Sequence, residues 1–300
     1  MTADPGSPDA LPPGDTQHFS VFGYPFTFES SSRIAHQRIH SLYGAFAARD
    51  GGAAVFSVHP GRESAWVLAR DGREVAVRDS LGAALAGLEC EVCLGVIAHR
   101  SDLIMTHGAL VLTSQGGLLI SGPSGAGKST LTMALVARGY KAGTDDASLL
   151  TAENGWLCAV PRCFHLDRQS RTLLCEAGMR LPEDGAVREF LTPADYGATA
   201  VPAMPVRWIF LLSRGDSPQP AVVPLSQAEA AVAMLQQTNW GDRSASEMLA
   251  AMIRMAGKAK CYRLTSGRLA ETADSVIQLI RDGTPPAPEP GAPVTSDCAP

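Results

Sequence analysis

The chain has 300 residues, 45% of them hydrophobic and 18% charged, with a formal net charge of −5. This is the composition of a globular protein large enough for one big or two small domains, and its sign argues against coating nucleic acid or an anionic membrane. Seven cysteines without framework spacing fit free thiols in a reducing compartment, and the opening MTADPGSPDALPPGD is acidic and proline-rich where a secretory leader would be basic and apolar. No uninterrupted apolar run reaches the roughly eighteen residues of a membrane span. A cytoplasmic protein with no membrane or nucleic-acid partner is expected.

Residues 1–17 and 284–300 are proline-rich and predicted to be disordered tails. Between them, residues 18–100 read as a strand-rich region ending in a helix, and residues 101–283 as a second domain. Alternating apolar runs predict strands at HFSVFGYPFTFE, AAVFSV, SAWVLAR and REVAVRD, the last two joined by the hairpin signal Asp71-Gly72. Arg33 to Ala48 reads as one amphipathic helix. Its His36 and His40 have the i, i+4 spacing of a zinc helix, but Gln37 stands where the glutamate base would be, and a solvated helix face is expected. A helix from about Leu81 to His99 carries Cys90 and Cys93 on a shared face as small apolar side chains. Cys158 and Cys163 are poorly spaced to complete a metal site with them.

A strand at Leu103–Thr113 and another at Gly117–Ser121 are joined by Ser114-Gln-Gly. Next comes Gly122-Pro123-Ser124-Gly125-Ala126-Gly127-Lys128-Ser129-Thr130, which fits G-x-x-x-x-G-K-[ST], and a helix from Leu131 to Arg138 ended by Gly139. A glycine-rich loop between a strand and a helix turns backbone N–H groups toward one point at the positive end of the helix, where phosphate oxygens are held. Gly122 to Thr130 are therefore the candidate ATP-binding residues. Lys128 is expected to reach the β- and γ-phosphates, and the Ser129 hydroxyl to ligate Mg2+.

Asp145-Asp146 follow one helix and one short strand later. On an extended segment adjacent carboxylates point to opposite sides, so one can face the nucleotide while the other braces the loop, and phosphoryl transfer uses carboxylates both beside the metal and beside the attacking hydroxyl. His107 sits in the strand expected to pair with the one that feeds the loop. Further on, strands are predicted at Ala147–Thr151, Trp156–Val160 and Val206–Ser213, the last buried on both faces. Capping boxes at Ser226-Gln-Ala-Glu229 and Ser244-Ala-Ser-Glu247 open two helices. A strand at Tyr262 precedes a final helical stripe from Leu269 to Ile280, stopped at Gly283.

The run His107-Gly-Ala-Leu-Val, the loop Gly122 to Ser129 and Thr144-Asp-Asp146 together resemble the kinase domain of the HPr kinase/phosphorylase family over roughly Leu103 to Leu150. The resemblance implies an α/β fold with a P-loop kinase core of the HPr kinase/phosphoenolpyruvate carboxykinase type, a strand-rich N-terminal region and a helical C-terminal third. It implies ATP- and Mg2+-dependent phosphorylation of a serine in a protein or peptide. Asp145 would be the catalytic carboxylate, Asp146 and Ser129 would lie near magnesium, and His107 by the transferred phosphate or Asp145. Two features depart from the family. Thr130 follows the loop serine where glutamate is typical, and Val160-Pro-Arg-Cys-Phe-His-Leu-Asp167 replaces a later conserved stretch, with Arg162 as a candidate phosphate contact.

A small-molecule kinase and a non-catalytic nucleotide switch stay as alternatives. The loop also resembles that of guanylate kinases, although about a hundred residues precede it here. Transporter-type ATPases are excluded by the lack of L-S-G-G-Q and of a strand ending in Asp-Glu. The acceptor, and whether copies of the chain associate as a homo-oligomer, are not fixed by sequence.

Overall fold

The computed structural model describes residues 16–52, 54–160, 162–181, 190–191, 201–238 and 242–282. Residues 1–15 and 283–300 fall outside these, whereas Thr16 and Gln17, expected to close the N-terminal tail, open the first strand. The chain forms two compact units that meet in sequence at Ser101–Asp102, with Phe190–Leu191 grouped with the first.

In the first unit, β1 (Thr16–Val21), β2 (Tyr24–Glu29), β3 (Ala54–Pro60), β4 (Trp66–Arg70) and β5 (Arg73–Arg78) form one sheet in chain order. Only β2 and β3 are parallel, and α1 (Arg33–Tyr43) makes the crossover that such a pair needs. The Asp71-Gly72 turn has φ of 51° and 74°, the paired left-handed conformation that twists a two-residue hairpin correctly. Phe26, Phe28 and Phe56 are fully buried, with Tyr43 of α1 packed edge-on against Phe26. α1 is shorter than expected: it stops at Tyr43 and the chain tightens into a 3-10 turn at Gly44–Phe46. His36 is not on a solvated face. It is buried, its Nε2 3.0 Å from the Ser30 carbonyl oxygen and its ring edge-on to Phe28, while His40 is exposed.

The 19-residue helix α2 (Leu81–His99) closes this unit, with the Ser80 side chain accepting from the Ala83 N–H at its start. Glu89 and Glu91 interrupt the apolar sequence, yet by length and mean hydropathy this is the one helix among the described residues long and apolar enough to cross a membrane. Here Leu85, Leu88, Val92 and Val96 are buried and the helix packs on β3, β4 and β5. Cys93 shares that buried face, but Cys90, expected to share it too, is exposed, since a spacing of three turns it about 60° round the helix.

From Asp102 the order is β6 (Leu103–Thr106), β7 (Ala109–Thr113), β8 (Gly116–Ser121), α3 (Lys128–Val136), β9 (Lys141–Thr144), β10 (Ser148–Thr151), β11 (Leu157–Ala159), β12 (Phe164–His165), α4 (Arg168–Glu176), β13 (Phe190–Leu191), β14 (Val201–Met204), β15 (Val206–Arg214), β16 (Ala221–Leu225), α5 (Gln227–Leu235), α6 (Ala245–Ala256), β17 (Lys260–Ser266) and α7 (Leu269–Asp282). A six-stranded sheet runs β16-β17-β15-β8-β7-β9, and a four-stranded one β14-β11-β10-β6. β15 is parallel to both β8 and β17; Trp208, Ile209 and Phe210 at its centre are buried on both faces, as expected, while Arg207, Leu211 and Ser213 are half-buried. α5 and α6 bury Ala230, Met234, Met248 and Met252 against Leu110, Leu119 and Ile209 of the larger sheet. Both capping boxes are present, each serine accepting from the N–H three residues on while the glutamate accepts from the serine N–H. Arg138 clasps α3 to α7 through the Asp274 carboxylate at 2.9 Å and the Ala270 carbonyl.

One expected strand is two. Leu103–Thr113 breaks at His107-Gly108, so that β6 pairs with β10 in the smaller sheet and β7 with β8 and β9 in the larger. The partner chain breaks at the same level: β9 belongs to the larger sheet, β10 to the smaller, and Asp145–Ala147 connect them.

Candidate functional site

β8 delivers the chain to the glycine-rich loop at the edge of β15. Gly122 has φ 154°, and a Cβ there would overlap the Leu212 carbonyl of β15. Only glycine allows this approach, and it fixes the start of the loop to the central strand. Gly125 (φ 75°) and Gly127 (φ 98°) are left-handed as well, but a Cβ on either would meet nothing within 4 Å. These two are glycine for conformation and leave open space on the side to which the loop curls. Pro123, Ser124 and Gly125 are exposed, and the Ala126 N–H turns back to the Pro123 carbonyl at 3.2 Å.

α3 starts earlier than the sequence suggests, at Lys128, with Gly127 as its cap. The first N–H groups of a helix have no partner within it, so Lys128, Ser129 and Thr130 present theirs at the positive end of α3. Gly139 (φ 92°) ends the return, with the Tyr140 N–H reaching the Leu135 carbonyl at 3.2 Å.

Lys128 is buried (7% exposed), its amine donating to the Gly122 and Pro123 carbonyls at 3.1 and 3.3 Å and lying 3.3 Å from Asp146 Oδ1. The Ser129 hydroxyl is 2.8 and 3.0 Å from the two oxygens of Asp145, which is 2% exposed. Thr130 donates to the Ser170 hydroxyl at 3.0 Å, tying α3 to α4, a helix that the sequence reading did not anticipate although Asp167 caps it.

Asp145 and Asp146 do not lie on an extended segment. They form a bend in which Asp146 has φ 58° and the Ala147 N–H bonds to the Asp145 carbonyl at 2.7 Å. The left-handed residue turns both carboxylates to the loop side rather than to opposite faces. The sequence reading put Asp145 at the chemistry and Asp146 with Ser129 near a metal; the structure puts the Ser129 hydroxyl on Asp145. Asp146, 48% exposed at its side chain, stands between Lys128 and His107, whose Nδ1 is 3.9 Å from Oδ2. That distance is an ion pair rather than a hydrogen bond.

Burial pushes the Asp145 carboxyl up to about 7, with the Ser129 hydroxyl opposing and the neighbouring Asp146 charge reinforcing the rise. Asp146 is held well below the usual carboxylate range by His107 and Lys128. In return the Asp146 carboxylate raises the His107 imidazole above its ordinary value, against the burial that would lower it. Two adjacent carboxyls are thus pushed apart, one poised to titrate near neutrality and one fixed as an anion. Arg162 is near enough to Asp145 to oppose its rise.

Among the described residues no three His, Cys, Asp or Glu side chains converge as a metal cage. The donor set that does exist, a hydroxyl and a carboxylate in contact, suits a hard cation that keeps most of its shell as water or phosphate oxygen. The open side of Gly125 and Gly127, beside the amine of Lys128, suits a polyphosphate.

No protein-family model matches the chain, and no curated protein matches its sequence. Among solved structures it is similar to the Hpr(Ser) kinase/phosphatase from Coxiella burnetii, at 16% identity and TM-score 0.34, over 60% of this chain and 97% of that one. A likeness at this level assigns no residue a role. What the coordinates establish is a mixed α/β protein with this cluster at the head of α3.

Sequence reasoning missed the hydroxyls that hold the cluster together. Ser121 and Ser148 are both fully buried, bonded to the His107 and Gly108 carbonyls at 2.6 and 2.9 Å. A serine at the end of an otherwise apolar strand, as in Gly117-Leu-Leu-Ile-Ser121 and Ser148-Leu-Leu, was the available signal.

Proposed function

We propose that the head of α3 binds the triphosphate of ATP with Mg2+ and that the protein transfers the terminal phosphoryl group to a serine hydroxyl of a protein or peptide. The observation that carries this reading is the convergence of the Lys128 amine, the Ser129 hydroxyl and two carboxylates of opposite electrostatic character beside a left-handed glycine loop.

In this reading the N–H groups at the head of α3, from Lys128 to Thr130, and the Lys128 amine hold the phosphates, and Ser129 with Asp145 holds the metal. Magnesium, when bound, neutralises charge on the phosphate oxygens. The half-exposed Asp146 and His107 face the acceptor. Asp146 stays ionised and accepts a hydrogen bond from the incoming hydroxyl, which fixes its line of approach. His107, kept protonated by Asp146 over a wider pH range, places positive charge near the group in transit. As the serine oxygen bonds to the γ-phosphorus, the bond to the β–γ bridging oxygen breaks and ADP leaves; the hydroxyl proton is lost late, past Asp146 to solvent, because phosphoryl transfer is carried mainly by positioning and charge neutralisation. The assignment of Asp145 to the metal and Asp146 to the acceptor inverts what the family resemblance implies, and it follows from which carboxylate Ser129 touches.

The test is transfer of labelled phosphate from ATP to serine-bearing peptides by wild type, Asp145→Asn and Asp146→Asn. Label on serine supports the proposal, with Asp145→Asn losing both transfer and the magnesium dependence of ATP binding, and Asp146→Asn losing transfer while ATP affinity is kept or raised. Label on a nucleotide or sugar would make the protein a small-molecule kinase. ATP bound with no acceptor labelled would make it a switch.

A further inference from the structure

His107 and Asp146 occupy an unusual place in the second unit. The ladder β7–β9 ends at Leu110↔Thr144, and the ladder β6–β10 begins at Thr106↔Ser148. Between them both chains leave one sheet for the other, and the regular exchange of N–H and C=O groups lapses over residues 107–109 and 145–147. Backbone polar groups buried in such a gap must find other partners.

They do, in large part through hydroxyls. Ser121 donates to the His107 carbonyl at 2.6 Å, Ser148 to the Gly108 carbonyl at 2.9 Å, and Thr144 to the Ala147 carbonyl at 3.0 Å. All three side chains are fully buried. The Gly108 N–H keeps a single cross-chain bond to the Asp146 carbonyl at 3.3 Å, and the His107 N–H is taken by the Gln237 carbonyl at 2.6 Å. A Cβ at Gly108 would sit 2.7 Å from Leu119 Cδ1, so the lack of a side chain is what lets the strand lie this close. Asp146 is held left-handed opposite.

We propose that Ser121 and Ser148 are positioning residues: their buried hydroxyls clamp the His107-Gly108 carbonyls and thereby set the His107–Asp146 gap on which the acceptor side of the site depends. Plain core packing would be better served by valine or alanine at both positions, since a buried hydroxyl is costly unless its bond is made. The clamp acts on the backbone of His107 from β8, the strand that also feeds the glycine loop. Donor and acceptor sides of the cluster therefore share one support. This inference rests on the reading of the site as a phosphotransferase centre, but one of its tests does not.

The experiment compares wild type with Ser148→Ala, Ser148→Thr and Ser121→Ala. With labelled ATP and a serine peptide, the alanine variants should lose roughly 10–100-fold in kcat, the range expected for a displacement near 1 Å. KM for ATP should stay within about twofold, because Lys128 and Ser129 are untouched. Ser148→Thr, which retains the hydroxyl, should recover most of the rate. In parallel, the His107 ring signals and the Asp146 backbone amide signal are followed by NMR at one fixed pH, without nucleotide. They should move in both alanine variants and return toward wild type in Ser148→Thr. If wild type transfers no phosphate but the signals move, the function fails and the clamp stands. If Ser148→Ala does not fold, Ser121→Ala decides by the same two readouts. Unmoved signals in a folded alanine variant, or kcat and KM changing together with no recovery by threonine, would overturn the proposal.

Discussion

Asp145→Asn should make the ligand-free protein more stable as it disables the site. A carboxyl whose pKa lies near 7 in the fold and 3.8 ordinarily is more easily ionised in the unfolded chain. Its contribution to stability is therefore fully present below 3.8, falls as pH rises from there to about 7, and is flat above. Each pH unit in that window is worth about 1.4 kcal/mol, so the ionised group at pH 8 weighs against the fold by an upper bound of about 4 kcal/mol. Asparagine removes that burden and keeps an oxygen for the Ser129 hydroxyl, but its two N–H groups need acceptors in a site 2% exposed, at a cost of about 1–3 kcal/mol. The net expectation at pH 8 is a gain of about 1–3 kcal/mol.

The assay is urea unfolding in EDTA, followed by amide exchange across β8 and α3 so that the second unit alone is read. The variant should be the more stable at pH 8, and its advantage should shrink steadily toward pH 4. A variant less stable at pH 8, or an advantage independent of pH, would mean that Asp145 is ionised in the fold and held there by neighbouring cations, and the electrostatic account of the site would be wrong.

Lys128→Ala removes the buried amine that reaches two loop carbonyls and Asp146. ATP affinity by calorimetry should drop at least about tenfold, the equivalent of one charge-assisted bond of about 1.5–3 kcal/mol, and transfer should vanish. His107→Ala should lower kcat more than it changes ATP affinity, and full turnover would reduce His107 to a packing residue. Gly122→Ala cannot avoid the Leu212 carbonyl, and denaturation should show a loss of several kcal/mol. Gly127→Ala meets nothing and should fold with a penalty of only about 1–2 kcal/mol for its left-handed backbone, yet lose ATP binding where the methyl enters the cradle. Equal stabilities for the two variants would refute the distinction between them.

The parts of this structure governed by local chemistry were legible in the sequence. The Asp71-Gly72 hairpin, the glycine loop between β8 and α3, and the boxes at Ser226 and Ser244 each depend on residues within a few positions of one another. The parts governed by distant partners were not. Leu103–Thr113 reads as one strand, and the residues that meet its break at His107-Gly108, among them Ser121 and Ser148, lie far along the chain. His36 looked solvated because its acceptor, the Ser30 carbonyl, leaves no mark in the pattern. For the two aspartates, sequence gave their nearness to the loop but not which one Ser129 would hold. That choice turns on a single positive φ at Asp146, a conformation that aspartate tolerates but does not announce.

Lys128 already has a counter-charge in Asp146. If the phosphotransferase reading holds, an arriving triphosphate must compete for that amine, and its success loosens the carboxylate from the lysine while His107 still holds it from the other side. The side chain that is to meet the second reactant is thus freed by the first. Steady-state kinetics would then show compulsory sequence, nucleotide ahead of peptide, with the lysine–aspartate contact serving as the interlock.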